Sequence, residues 1–331
     1  MKKLLLTVLI AMACVAQVNA QQFVTTEVTQ RNVVIEEFTG RNCGYCPDGH
    51  RIANGLMAAN PGRLWAVNIH AGGYAPSSYP NFLTPDGTTI HNYFNISGYP
   101  CGAVNRSSTT PLDRGQWTGA ANNILNQDSY VNLGGQVILN PVTRTALITV
   151  EAYYTGDSPA DENQLTVMML QDSIYGSQSG GSSNPEQWTG TEYIHMHILR
   201  DVVNSESAWG ETISPTTAGT LITKSYMYEI PEVIGNPNGV DVIIEHLHFL
   251  AFINESNIYM QTACQLETVI AYDNVFPVMQ GFDQIHSIAC DYDGTFDLTF
   301  MNGGLDNLTS CVFEVEYAGQ TYTYNWEGDI A

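Results

Sequence analysis

The chain has 331 residues, too many for one ordinary domain, with 44% hydrophobic residues, seven cysteines and a formal charge of −22. That acidity, −24 once Lys2 and Lys3 are set aside, argues against nucleic acid or an anionic membrane surface as partner. Past the leader no stretch has the ~18 uninterrupted apolar residues of a membrane helix, and mixed helix and strand signals in the first hundred mature residues argue against an outer-membrane barrel.

Residues 1–20 combine Lys2-Lys3, an apolar run from Leu4 to Val15 and Val18-Asn19-Ala20, the pattern of an export signal, so the mature chain is expected to start at Gln21. A lipoprotein signal acylated at Cys14 is the rival reading. Export to the periplasm, outer membrane or cell surface places the other six cysteines (Cys43, Cys46, Cys101, Cys264, Cys290 and Cys311) where disulfides persist. Asn32 to Phe38 is a β-branched run predicting a strand. The pair Cys43 and Cys46 is then expected to open a helix whose apolar stripe is Ile52, Ala53, Leu56 and Ala59, and Asn60-Pro61-Gly62 stops it. Leu64 to His70 predicts a second strand, completing a β-α-β unit. Ala71 to Gly87 predicts a long loop, Thr88 to Phe94 a short helix, and Ala103 to Asn105 a strand. A last helix carrying Trp117, Ala121, Ile124 and Leu125 is expected behind an Asp113 cap.

From Tyr130 the pattern changes to strands: Gly135 to Leu139, Ala146 to Tyr154, Leu165 to Gln171, Leu221 to Glu229, Val240 to Ile244 and Phe249 to Asn254. Ser177 to Asn184 (SQSGGSSN) predicts a low-complexity loop inside this region. After Phe276-Pro277, strands are expected at Phe296 to Phe300, Cys311 to Tyr317 and Thr321 to Trp326, a segment short for an independent sandwich. Charge is also unevenly placed along the chain. Residues 21–114 carry six basic and six acidic side chains, residues 115–331 three and twenty-seven. The expected architecture is therefore α/β plus all-β: signal 1–20, a first domain 21–127, an antiparallel β-sandwich 128–275 and a partial, immunoglobulin-like β segment 276–331.

The chemistry-bearing motif is Cys43-Gly44-Tyr45-Cys46. A thiol attacks as thiolate, so a nucleophilic cysteine needs a lowered pKa and access. Helix N-terminal N–H groups and Arg41, two residues earlier, favour the anion at Cys43. Cys46 is the candidate resolving thiol, and Pro47 fits a first turn whose N–H groups lack intrahelical partners. Glu37, six residues before Cys43, stands where thioredoxins keep a buried acid that takes the proton of the second cysteine. Tyr99-Pro100 resembles their cis-proline loop. Strand, C-x-x-C helix, strand, helix, X-Pro and strand follow the thioredoxin order. The competing readings are a permanent clip or half a zinc site, and no second C-x-x-C supplies the other ligands. Cys101 is either a third reactive thiol or a small buried residue.

FTGRNCGYCPDGHR, GYPCGAVNR and EYIHMHILRDVVN with Trp209-Gly210-Glu211 together resemble the outer membrane protein 28 related family of Bacteroidota envelope proteins, over residues 31–275. The resemblance implies a thioredoxin-like domain followed by a β-rich domain, in a lipoprotein or outer-membrane protein. In related chains a small hydroxyl residue usually follows the Tyr-Pro, so Cys101 departs from the pattern. Larger members often end in a secretion sorting domain, and no such ending is visible here.

His195-Met196-His197 and His246-Leu247-His248 are two H-x-H pairs. On neighbouring strands they would gather four imidazoles as a metal site; otherwise they are packing residues. Asp291-Tyr292-Asp293-Gly294 resembles a calcium loop without its terminal Glu and fits a hairpin turn better. Cys290 and Cys311 are candidates for a bridge that leaves Cys264 over. No cofactor is read from the sequence. Two functions stay open: thiol-disulfide exchange with protein thiols or disulfides of the envelope through Cys43, Cys46, Glu37 and Pro100, or surface binding by the acidic β-rich region on a thioredoxin-like scaffold, with peripheral outer-membrane association.

Overall fold

The computed structural model describes residues 23–271, 277–285, 295–302, 307–317 and 320–330. The leader, Cys290 and residues 291–294 lie outside them, so the leader readings, the Cys290–Cys311 bridge and the Asp291-Tyr292-Asp293-Gly294 turn fall outside the described residues.

The chain is mainly β, in several sheets. It opens with β1 (Val33–Thr39), α1 (Cys46–Ala59) and β2 (Leu64–His70), followed by α2 (Pro85–Tyr93), β3 (Cys101–Val104), β4 (Leu112–Asp113) and α3 (Trp117–Leu125). Then come β5 (Val131–Asn140), β6 (Thr145–Tyr154), β7 (Asn163–Gln171), β8 (Ile174–Gly176), β9 (Tyr193–His195), β10 (Ile198–Val202), β11 (Glu211–Ile213) and β12 (Leu221–Glu229). They are followed by β13 (Val233–Ile234), β14 (Val240–Asp241), β15 (Leu247–Asn254), β16 (Met260–Gln265) and β17 (Glu267–Ile270). The tail holds two hairpins, β18 (Pro277–Ile285) with β19 (Thr295–Asn302) and β20 (Leu308–Tyr317) with β21 (Gln320–Ile330). Phe300 joins them, its ring 4.8 Å from Phe313 and 5.1 Å from Trp326.

β1 pairs in parallel with β2 and antiparallel with β3, which carries β4. The sheet does not end at β2. β10 joins it in parallel where Ile198 faces Asn68, and β7, β15 and β16 extend it antiparallel in the order β16-β15-β7-β10-β2-β1-β3-β4. One sheet thus runs from the cysteine motif into the β-rich region. Alternation along its strands divides the core. Val33 and Ile35 of β1 with Leu64 and Ala66 of β2 face α1 and α3, whereas Val34, Phe38, Val67 and Ile69 face α2 through Ile90 and Phe94. Farther along, Leu165, Val167 and Met169 of β7 pack on a second sheet, β12-β6-β5-β17, which makes the sandwich layer. That second sheet is not wholly antiparallel, because β17 pairs with β5 in parallel.

Local rules explain the boundaries. The second helix starts at Pro85 because the Thr84 hydroxyl accepts from the Gly87 N–H and Pro85 fills a first-turn position that needs no donor. Asp113 caps a single 3-10 turn, Arg114–Gln116, through a capping box with Gln116, and α3 continues from it. The expected strand from Val240 to Ile244 shortens to Val240–Asp241, and Ile244–His246 turns as a 3-10 helix.

Candidate functional site

Cys43 and Cys46 form a disulfide with their Cα atoms 5.5 Å apart. The expected helix start is corrected by three residues: α1 begins at Cys46, with Tyr45 as its N-cap and Pro47 in the first turn. Cys43 instead sits in the preceding turn, its N–H donating to the Gly40 carbonyl (2.9 Å). Both sulfurs are covered, Cys43 being 3% and Cys46 0% exposed.

The cover over Cys43 is the segment whose composition predicts a featureless loop. Gln178 donates from Nε2 to the Cys43 carbonyl (2.9 Å), and the Ser179 N–H donates to the Arg41 carbonyl (2.8 Å). Gly180, at φ +69°, comes so close that a Cβ there would stand 2.1 Å from the Gly44 oxygen. Arg41 is pinned from the same side, donating to Ser177 Oγ and to the Ser78 carbonyl. Gly180→Val therefore conflicts with the closed loop both by φ, about 1–2 kcal/mol, and by contact. We expect it to raise the rate at which dithiothreitol opens Cys43–Cys46 by roughly tenfold, since exchange rates follow access. An unchanged rate in a thiol-release assay would show that the loop does not limit entry.

Beneath the disulfide lies a buried polar set. Glu37 alternates onto the α1 side of β1 and is fully buried, with no hydrogen bond to either carboxyl oxygen. A Cβ on Gly49 would stand 2.4 Å from its Oε1 and 3.0 Å from Pro100, so Glu37 and Pro100 both press on the turn of α1 that follows Cys46. The Tyr99–Pro100 peptide is cis. Burial pushes the Glu37 pKa well up, Arg114 opposing and Asp48 reinforcing, which favours the protonated acid. Beside it, His50 Nε2 is 3.6 Å from Glu37 Oε1 and 3.0 Å from Thr39 Oγ1. His50 Nδ1 is 2.8 Å from the Tyr193 hydroxyl, which also donates to Gln187 Oε1 and accepts from Asn184 Nδ2, each at 3.0 Å. With that hydroxyl proton committed to Gln187, the network assigns the His50 proton to Nδ1 and leaves Nε2 to accept from Thr39. Burial lowers His50 to about 3 and raises Glu37, so it favours the neutral form of both members of this close pair.

Cys101, paired with Phe38, is half-buried against the α2-side core; burial, then Glu37 and Asp113, push its thiol up to about 12, which makes it a poor nucleophile. Next to it a groove of about 700 Å³ is lined by Phe94, Tyr99, Pro100, Cys101, Thr110 and Pro111. Among the described residues Cys264 and Cys311 have no disulfide partner.

The four histidines of the H-x-H pairs do not meet. Strand β9 ends at His195, and His197 takes φ +55°, so the period-two assumption fails between them. His195 is buried against Phe82 and His70, with ring centroids 4.8 and 5.6 Å away. His246 lies in the 3-10 turn. Only His197 and His248 come together, and they do so around a residue the sequence pattern does not single out, Asp172, just past the end of β7. Its signal would have been an acid ending an otherwise apolar strand.

Comparison with known proteins places this geometry. The sequence has no match among curated proteins. HBP35 of Porphyromonas gingivalis shares the fold at TM-score 0.56 and 19% identity, covering 89% of this chain and 98% of that one. A protein from Agrobacterium tumefaciens, AGR_C_4864, aligns at TM-score 0.45 and 12% identity, covering 72% and 95%. A domain of the outer membrane lipoprotein Omp28 of P. gingivalis aligns at TM-score 0.28 and 14% identity, covering 43% and 90%. No helix among the described residues is long and apolar enough to cross a membrane. The family model of outer membrane protein Omp28 matches residues 87–259, more than half the chain and including Pro100, Asp172, His197 and His248 but not the cysteine pair. The chain belongs to the Omp28 outer membrane protein family and is an exported protein of the cell envelope or surface.

Proposed function

We propose that residues 32–125 are a thioredoxin-like unit and that the protein exchanges disulfides with protein thiols of the envelope through Cys43 and Cys46. The observation that carries this reading is Glu37: a fully buried acid with no hydrogen bond to either oxygen, its pKa raised by burial, held with Pro100 against the turn that follows Cys46. A clip that only closes a loop requires no such group. In the oxidising direction a partner thiolate attacks Cys43 Sγ, forming a mixed disulfide while Cys46 leaves as thiolate and takes the Glu37 proton. A second partner thiolate then attacks the partner's own sulfur, releasing Cys43 and a partner disulfide; two electrons have passed to the Cys43–Cys46 pair. The groove beside Pro100 is where an extended partner segment would lie.

Cys43→Ser is expected to lower exchange with a model disulfide substrate at least ~100-fold, because the attacked sulfur is gone. Equal rates for variant and parent end the proposal. The deep burial of both sulfurs favours one other reading, a scaffold disulfide that serves a binding surface on the acidic β region. Redox titration separates the two: a scaffold bond resists glutathione, with a potential below about −300 mV, whereas an exchanging pair opens at higher values.

A further inference from the structure

Three strands of the long sheet end together away from the disulfide, and each brings one metal-ligating side chain. β7 runs out at Gln171, which faces both Ile198 of β10 and Leu247 of β15. Asp172 follows β7 and His197 precedes β10 at that edge, and His248, paired with Leu170, stands one residue inside it on β15. Backbone bonds fix the arrangement. The Asp172 N–H donates to the His246 carbonyl (3.0 Å), the His197 N–H donates to Asp172 Oδ1 (2.6 Å), and the His197 carbonyl accepts from the Asn68 N–H (2.8 Å).

The side chains converge. His197 Nδ1 stands 3.3 Å from Asp172 Oδ1 and His248 Nδ1 stands 3.5 Å from Asp172 Oδ2, and all three ligand atoms lie within 4.8 Å of one another. For a zinc ion bound at about 2.0–2.1 Å, tetrahedral ligand atoms sit ~3.3 Å apart; the 3.3 and 3.5 Å contacts run to the two different carboxylate oxygens and the one-atom-per-residue set lies within 4.8 Å, so the side chains would draw in on an ion. The contacts are long for hydrogen bonds to an ionised carboxylate, which run about 2.7–2.9 Å. The side chains are 21% (His197), 25% (Asp172) and 15% (His248) exposed, so an ion has a path in while the ligands stay ordered.

We propose that Asp172, His197 and His248 form a site for a divalent transition-metal ion of the zinc class, with the coordination completed from solvent or a ligand. Two imidazoles and one carboxylate are the donor set such ions take, and three protein ligands leave a position open. The chain's strong negative charge raises the local concentration of cations. The site is separate from the cysteine pair and does not depend on the exchange reading.

The test uses the full chain with the disulfide intact and the remaining thiols alkylated, titrated with Co²⁺. Expected are one equivalent bound, weak visible absorption of a nitrogen and oxygen site, displacement by Zn²⁺, and two paramagnetically shifted, exchangeable imidazole N–H signals. Asp172→Asn and His248→Ala should each lower affinity ~100-fold or more, and His246→Ala, whose ring lies outside the cluster, should not. Absence of binding, or binding unchanged in Asp172→Asn and His248→Ala, overturns the proposal. The two shifted signals are read on the parent protein, so their absence from the cobalt form also overturns it, whether or not the variants fold.

Discussion

Replacing Arg106 with methionine is expected to destabilise the fold by about 3–5 kcal/mol, because it strands a buried carboxylate. Arg106 and Glu36 are both fully buried, joined by Nε to Oε2 (2.7 Å) and Nη2 to Oε1 (2.6 Å). The guanidinium also lies over the rings of Trp209 (5.0 Å) and Phe252 (5.1 Å). Glu36 belongs to β1 and Phe252 to β15, so one side chain ties the cysteine-bearing end of the sheet to the sandwich end. Its backbone does the same, the Arg106 carbonyl accepting from the Tyr259 N–H and the Asn105 carbonyl from the Met260 N–H, both at 2.9 Å. Removing both charges is a different matter. In Glu36→Gln with Arg106→Met the buried charge is gone, so the double variant should recover at least ~2 kcal/mol relative to the sum of the single changes. Urea denaturation of the four proteins measures this. A single-variant loss under ~1 kcal/mol would mean that water reaches Glu36.

How much of this was legible follows from the range of each interaction. The β-α-β unit was, because alternation in β1 and β2 and the apolar stripe of α1 are local patterns. Helix α2 starts before the expected Thr88, at Pro85, although Thr84-Pro85 carries a start signal. The H-x-H reading failed where a single residue, His197, left the extended conformation, since one positive φ undoes a period of two. The family motifs could be quoted without their meeting being visible: Arg106 of GYPCGAVNR lies over Trp209, and His50 of FTGRNCGYCPDGHR bonds Tyr193 of EYIHMHILRDVVN. Those contacts depend on tertiary packing. The same holds for SQSGGSSN, whose small residues are what a close approach to Gly44 requires, though the sequence alone reads them as slack.

The buried histidines make the fold acid-labile, and their sign is opposite to that of Glu37. Burial lowers His50 and His195 to about 3 and His70 well below its ordinary value; neighbouring rings and Arg41 add to the shift at His70 and His195. The unfolded chain takes up protons on these rings below pH 6.5 while the folded chain does not, so their contribution is present above pH 6.5 and is lost as pH falls. Each ring kept neutral down to pH 5 gives up about 2 kcal/mol between pH 7 and pH 5. Glu37, with its raised pKa, keeps its proton in the folded state to a higher pH than the unfolded chain does, so it costs stability above the ordinary carboxylate range and returns part of that over the same descent. Asp86, raised to about 6 chiefly by burial, adds a smaller return of the same sign. The net expectation is that the three rings outweigh the two acids and stability falls from pH 7 to pH 5, measured by urea unfolding with the disulfide intact. Glu37→Gln removes the opposing contribution. It should raise stability at pH 7 and steepen the fall toward pH 5. A Glu37→Gln profile parallel to the parent's would mean that Glu37 is already ionised in the folded state, and the proton it is proposed to hand to Cys46 would not be there.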